Sequence, residues 1–312
     1  MNRYFREISV TMALGVVLLV LAVFAPAFYS PQPLLSLVTR EAPTLVVACG
    51  MVLVIICRQI DISVGSVFSV CSICAGLLAA RGWPLAGSVP AAMAVGALLG
   101  ACNGFFVAGL QLPSIVVTLA TMVILREGLN LLQQGAFVNL PDRVQWFGLS
   151  QAAGQGVLVA FALALLVALG LGMRRIAAGR WVYAVGTDAE AARLAGIRPR
   201  LLTFFVFVLM GTLAGLAAAM NIVQSPQVQP AVGTGLELKV IAAVVVGGVA
   251  ISGGRGNVWG AFAGLLLLAC VSPALTHLHV EAYWEKAIQG AIILLAVVAD
   301  GVRQQKTAGG HP

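Results

Sequence analysis

Arg58 and Asp61 stand three residues apart in "CRQIDISVGS", between two oily runs, "APTLVVACGMVLVII" and "VFSVCSICAGLLAA". An ionisable side chain inside an apolar segment is expensive, and it usually marks a solute path, a partner or a break in the helix. Ser63 and Ser66 follow at once, and Asn103 lies further along in "GALLGACNG". These five side chains are candidates to touch a polar solute or to frame a helix break. As a break, Asp61 or Ser63 would cap the next helix's free N–H groups, and Arg58 would neutralise Asp61. A helix over 43–58 covers only about 22 Å at 1.5 Å per residue, so the break is expected inside the bundle, solvated by protein or by a water-filled path.

A second constellation lies in "RRIAAGRWVYAVGTDAEAARLAGIRPR". Thr187-Asp188-Ala189-Glu190 fits a capping box, in which the Thr hydroxyl and the Glu carboxylate each take a free N–H. "AEAARLA" favours helix, Gly196 supplies a left-handed stop, and Pro199 blocks continuation. The expected product is a surface helix of about two turns, either a plain connector or an element that docks into a partner's groove.

Enzyme chemistry finds no support. There is no H-E-x-x-H, no G-x-S-x-G and no phosphate loop of the G-x-x-x-x-G-K-[ST] kind. The glycines of "GTGLELKVIAAVVVGGVAISGGRGNVWG" suit tight helix crossings and a sharp turn better than a nucleotide. Cys71 and Cys74 form an isolated C-x-x-C within an apolar run, and His277 and His279 an isolated H-x-H; neither makes a metal site by itself. Other ionisable groups within apolar segments are Arg126 and Glu127, with Glu237 and Lys239 at a helix end. No metal and no cofactor is expected.

The elements that must carry these residues follow from composition. The chain is 60% hydrophobic and 9% charged, with a mean hydropathy of +1.01, where a soluble domain is about a quarter charged. Long continuous runs such as "VLVAFALALLVALGLGM" suit membrane helices of roughly 20 residues rather than barrel strands. The fold class is therefore all-α, a polytopic integral membrane bundle. About ten helices are expected, over 8–28, 43–58, 62–80, 87–109, 113–132, 156–173, 201–222, 237–252, 257–276 and 283–300. The first reads as a retained helix rather than a cleaved signal.

An even number of spans puts both termini on one side. With both cytoplasmic, Arg3, Arg6, Arg58, Arg174, Arg175, Arg180, Arg193, Arg198, Arg200, Arg255, Arg303 and Lys306 lie inside. Arg40, Arg81, Arg126, Arg143, Lys239 and Lys286 lie towards the outside, as the positive-inside rule requires. The sequence pI near 9.4 then reflects basic loops facing anionic lipid, not nucleic acid. Gly96/Gly100/Gly104, Gly211/Gly215 and Gly260/Gly264 recur four apart, a spacing that lets helix backbones approach closely. Contacts within the chain are the favoured use, and contacts between chains the alternative.

Three stretches together, "RQIDISVGSV", "GRWVYAVGTDAEAARLAGI" and "GTGLELKVIAAVVVGGVAISGGRG", resemble the permease subunits of bacterial ABC sugar importers. The branch is that of the ribose, xylose, arabinose, rhamnose and autoinducer-2 systems, and the likeness runs over about residues 43–303. It implies one permease domain over 1–312, in the inner membrane, with a cytoplasmic coupling loop at 184–198. The implied partners are a second permease chain, identical or related, cytoplasmic ABC ATPase subunits and a periplasmic sugar-binding protein, all in membrane lipid. In this resemblance Thr187, Asp188, Glu190, Ala191, Ala192, Arg193 and Gly196 form the coupling helix that meets the ATPase. "LELK", with Lys239, is closer to the autoinducer-2 branch. The rival class, a stand-alone secondary transporter or channel, should show inverted repeats with broken helices, and no such repeat is evident.

Overall fold

The computed structural model describes residues 5–24, 26–277 and the separate positions 284, 287, 288, 290, 291 and 294. Most of it is helical: α1 (Phe5–Phe24), α2 (Pro31–Ile56), α3 (Val64–Ala80), α4 (Leu85–Gly104), α5 (Ser114–Gln133), α6 (Gln151–Arg175), α7 (Ala177–Thr187), α8 (Ala189–Leu194), α9 (Pro199–Gln224), α10 (Leu236–Val246), α11 (Val258–Ala269) and α12 (Val271–His277). A π-helical turn, Phe105–Gly109, extends α4. One small antiparallel ladder pairs β1 (Val138–Asn139) with β2 (Gln227–Val228).

Among the described residues, six segments are long and apolar enough to cross a membrane: Pro31–Ile56, Leu85–Gly109, Ser114–Gln133, Gln151–Arg175, Pro199–Gln224 and Val258–Leu275. Val10–Val23 and Val64–Ala80 are shorter apolar helices. The chain is thus a multi-pass, all-α membrane bundle. The expected span at 283–300 lies outside the described residues but for isolated positions, as does His279 of the H-x-H pair.

Three spans depart from expectation. The second begins at Pro31, not at 43, so α2 has 26 residues and reaches about 39 Å; it is not a short helix. Pro43 sits inside it, and the charges Arg40 and Glu41 that made this stretch look like a loop are helical. The eighth ends early, because Gly248 (φ +94°) turns the chain. At 11 residues, α10 covers about 16 Å and does not span. The ninth is interrupted at Cys270 between α11 and α12.

α2 is the axis of the bundle. Val46, Val47, Met51, Val52, Val54 and Ile56 are fully buried, and α6, α9, α10 and α11 all pack on it. A helix apolar on every side needs such surroundings. By contrast only 11% of α5's apolar window is buried, against 94% of α2's; most of α5 faces outward from the chain.

The glycine ladders are contacts within the chain. Gly96 and Gly211 lie backbone to backbone, each filling the space where the other's Cβ would stand. Gly100 rests on the Phe207 carbonyl, and Gly215 on that of Ala92. Gly264 meets the Ala243 carbonyl, and Gly260 meets Gly247. Lipid provides no hydrophobic drive for helix association, so van der Waals contact at such closeness must supply it. Replacing Gly96 with Val drives two methyl groups into the α9 backbone. Its expected cost is about 1–3 kcal/mol or more, read as a lower unfolding temperature in detergent, whereas Gly128→Ala, where a Cβ meets open space inside α5, does not lower it, since alanine is the better helix former.

Candidate functional site

The break between α2 and α3 is buried, as expected. Asp61 is 2% exposed, Ser63 0%, Ser66 2% and Asn103 1%. Asp61 turns towards the start of α3, but the expected cap does not form: its Oδ1 accepts the N–H of Ser63, the residue before α3, at 2.9 Å and the Ser63 hydroxyl at 2.6 Å, and Ser63 makes no side-chain cap. The chain of donors continues away from it. Asn103 Nδ2 donates to Ser63 Oγ at 2.9 Å, and the Thr121 hydroxyl donates to Asn103 Oδ1 at 2.7 Å. Thr121, Asn103 and Ser63 therefore point their donors in one direction, ending on the carboxylate. In a low dielectric such bonds polarise one another.

Other backbone groups of the break are satisfied by α5. Ile60 N–H goes to Ser114 Oγ at 3.2 Å and Ile62 N–H to Thr118 Oγ1 at 3.1 Å, while Ser66 Oγ donates to the Met122 carbonyl at 2.9 Å. Ser114, Thr118 and Thr121 recur at three- and four-residue spacing in "SIVVTLAT", and that hydroxyl stripe was the signal in the sequence for this partnership.

Arg58 does not neutralise Asp61. Its guanidinium runs the other way, with Nε donating to the Gly186 carbonyl at 2.7 Å and Nη2 to the Thr187 carbonyl at 2.6 Å. Those are the last carbonyls of α7, which lack helical partners and carry the negative end of the helix dipole. α7 itself, amphipathic with Gly179, Val182, Val185 and Gly186 buried, was not foreseen.

α8 hangs between α7 and α9 with all but Ala192 exposed. Its cap is Asp188, not Thr187. Asp188 Oδ1 accepts from Glu190 N–H at 2.9 Å and Ala191 N–H at 3.0 Å, while the Thr187 hydroxyl donates back to the Tyr183 carbonyl of α7 at 2.8 Å. Nor does Glu190 close a capping box. It takes Arg193 in a two-pronged pair, at 2.9 and 2.5 Å, and the Arg193 bond holds the Glu190 carboxyl below its usual range. The helix ends as expected: Gly196 (φ +85°) follows bonds from Gly196 N–H to Arg193 O and from Ile197 N–H to Ala192 O, both 3.0 Å. Pro199 opens α9 as its first residue, a position where its missing N–H costs nothing.

Two ion pairs brace α10. Lys239 Nζ lies 2.7 Å from Glu41 Oε1 on α2, and Arg126 Nη2 lies 3.1 Å from Glu237 Oε1. Arg126 thus pairs across the bundle rather than with its neighbour Glu127. Among the described residues no three His, Cys, Asp or Glu side chains gather as a metal site.

The assembly offers polar side chains in a buried interior and one exposed, capped helix. Asp188→Ala removes the α8 cap at an expected cost of about 1 kcal/mol, seen as faster amide exchange at Glu190 and Ala191. Asn103→Leu leaves the Thr121 and Ser63 hydroxyls short of a partner, an expected loss of about 1–3 kcal/mol in global stability.

Residues 34–297 match the family described as "branched-chain amino acid transport system / permease component". An autoinducer 2 import system permease protein of Klebsiella pneumoniae is 37% identical, covering 97% of this chain and 88% of the relative. The ribose import permease protein of Escherichia coli K12 is 32% identical, over 97% of this chain and 98% of its own length. A probable ABC transporter permease protein of Sinorhizobium fredii is 30% identical over 96% and 90%. No solved structure matches the chain significantly. Matched over most of its length, this chain belongs to the branched-chain amino acid transport system / permease component family, among the permeases of the ribose and autoinducer-2 branch of ABC sugar importers.

Proposed function

We propose that the chain is the membrane permease of an ATP-driven importer for a monosaccharide, of the ribose, rhamnose or furanosyl autoinducer-2 type. It works as one multi-pass domain over 1–312 in the inner membrane, with both termini cytoplasmic. Two such chains, identical or related, form the path. A periplasmic binding protein delivers the sugar, and cytoplasmic ATPase subunits drive the change of access. The chain itself hydrolyses nothing.

The observation that carries this reading is α8. A six-residue helix cannot hold itself together in water, yet this one is capped at Asp188, pinned by Glu190–Arg193 and stopped at Gly196. Such investment in an exposed element, with Leu194 77% exposed, suits a knob that enters a partner's groove. Thr187, Asp188, Glu190, Ala191, Ala192, Arg193 and Gly196 are its working residues. Arg58, Asp61, Ser63, Ser66 and Asn103 belong to the break, where weak polar contacts would let a sugar enter and leave.

The test is reconstitution in proteoliposomes with candidate ABC ATPase and sugar-binding proteins, offered ribose, other pentoses, rhamnose and autoinducer-2. ATP-dependent uptake of one of them is the expected result. Uptake by the chain alone, without ATP, would overturn the proposal in favour of a secondary transporter. Glu190→Arg sets two cations side by side, and Gly196→Val forces a branched residue into the left-handed region at a cost of roughly 1–2 kcal/mol. Both variants are expected to lose co-purification with the ATPase.

A further inference from the structure

α2 closes with a pair of backbone bonds, Arg58 N–H to the Ile55 carbonyl at 2.9 Å and Gln59 N–H to the Val54 carbonyl at 3.0 Å. This closure needs a left-handed residue just past the helix, a place that favours glycine. The same pair closes α3 at Gly82, α8 at Gly196 and α10 at Gly248. At the end of α2 the residue is Arg58, with φ +61°. Backbone geometry alone would select glycine there, so the reason for an arginine lies in its side chain.

That side chain holds the carbonyls of Gly186 and Thr187, one residue ahead of the Asp188 cap of α8. The surroundings leave it little choice of path. Gly254 N–H bonds the Ile56 carbonyl at 2.9 Å. A side chain at Gly253 would meet the Arg58 stem, and one at Gly186 would meet the Ile56 carbonyl. Tyr183 adds a bond to the Gly256 carbonyl at 2.8 Å. The ends of α2 and α7 and the turn after α10 thus converge around the Arg58 side chain, α7 on its guanidinium and the turn on its stem. Its other end, through three residues of backbone, is Asp61 and the donor chain into α4 and α5.

The geometry points to Arg58 as the positioning residue that joins α8 to the buried break, so that a displacement of α8 is carried into the Asp61–Ser63–Asn103–Thr121 network. The transport consequence rests on the function proposed above; the mechanical link does not.

Amide exchange on the full chain in detergent tests the link without any partner. Loosening α8 by Asp188→Ala should raise exchange at Ile60, Ile62 and Ser63 by about tenfold, the worth of one charge-assisted hydrogen bond. In an Arg58→Met background the same substitution should add nothing at those three amides, while still acting on Glu190 and Ala191. Arg58→Lys, which keeps the charge but loses the two-pronged grip, should restore the response only in part. If Asp188→Ala leaves the break unmoved, or acts on it equally in both backgrounds, the link is overturned. In proteoliposomes, Arg58→Met should lower sugar delivered per ATP hydrolysed, with the ATPase still bound. Wild-type yield per ATP in that variant would also sink the assignment. Absence of any ATP-driven uptake by the unaltered chain would count against the proposed function and leave the exchange result standing.

Discussion

A backbone N–H in the dry interior of a bundle has no water to turn to, and each unmet group costs free energy. The chain nevertheless stops one helix and starts another in that interior, between Ile56 and Val64. Much of the polar architecture answers this constraint. Arg58 and Gln59 N–H groups fold back onto α2, Ile60 and Ile62 go to hydroxyls of α5, and Ser63 goes to Asp61. Hydroxyls one turn apart on α5 are there because the break needs acceptors at that pitch. Asn103 is there because the Asp61–Ser63 pair can accept another donor. The buried polar residues of this region are therefore primarily partners of the backbone, and whatever they offer a passing sugar must be compatible with that duty.

The ion pairs obey the same economy at the level of side chains. Glu41 and Glu237 are both nearly buried, and in each only Oε1 has a partner among the described residues. An unpaired carboxylate in that setting would be far costlier than a paired one. The pairs are thus obligatory once the acids are present, and they fix where α10 sits. Lys239 and Glu237 lie two residues apart, so on a helix they point to different neighbours, one to α2 and one to Arg126 of α5. A helix too short to span is held from two sides by its first turn.

What could be read in the sequence follows from this. Apolar length shows without any tertiary knowledge, and α3, α4, α5, α6 and α9 fell close to expectation. The start of α2 did not, because "SLVTREAPT" carries an arginine, a glutamate and a proline that look like loop. Glu41 is held most closely by Lys239, 198 residues away at 2.7 Å, with Arg40 beside it at 3.7 Å, and the distant partner is one that no local pattern reveals. The cap of α8 was off by one residue for a related reason. Thr187 and Asp188 are both good caps, and the choice was made by α7, whose Tyr183 carbonyl takes the Thr187 hydroxyl first. Arg58 was read as the partner of Asp61 because they are close in sequence. Its carbonyls on α7 lie 128 and 129 residues on.

The division of rigidity in the molecule bears on how such a chain could move. The α4–α9 seam is backbone against backbone through Gly96, Gly100, Gly211 and Gly215, and packed interfaces of this kind shift between discrete arrangements rather than deforming smoothly. The break, by contrast, is held by individual hydrogen bonds, to carbonyls of α2, to hydroxyls of α5 and to Asp61. There one helix ends, another begins and a third lends its hydroxyls, so the joint is made of separate directional bonds rather than of continuous backbone contact. It lies three residues from the guanidinium that grips the root of the exposed helix. On the proposal that Arg58 links α8 to the break, a displacement of α8 would reach bonds that can be exchanged one at a time before it reaches the α4–α9 seam, where Gly96 and Gly211 lie backbone to backbone.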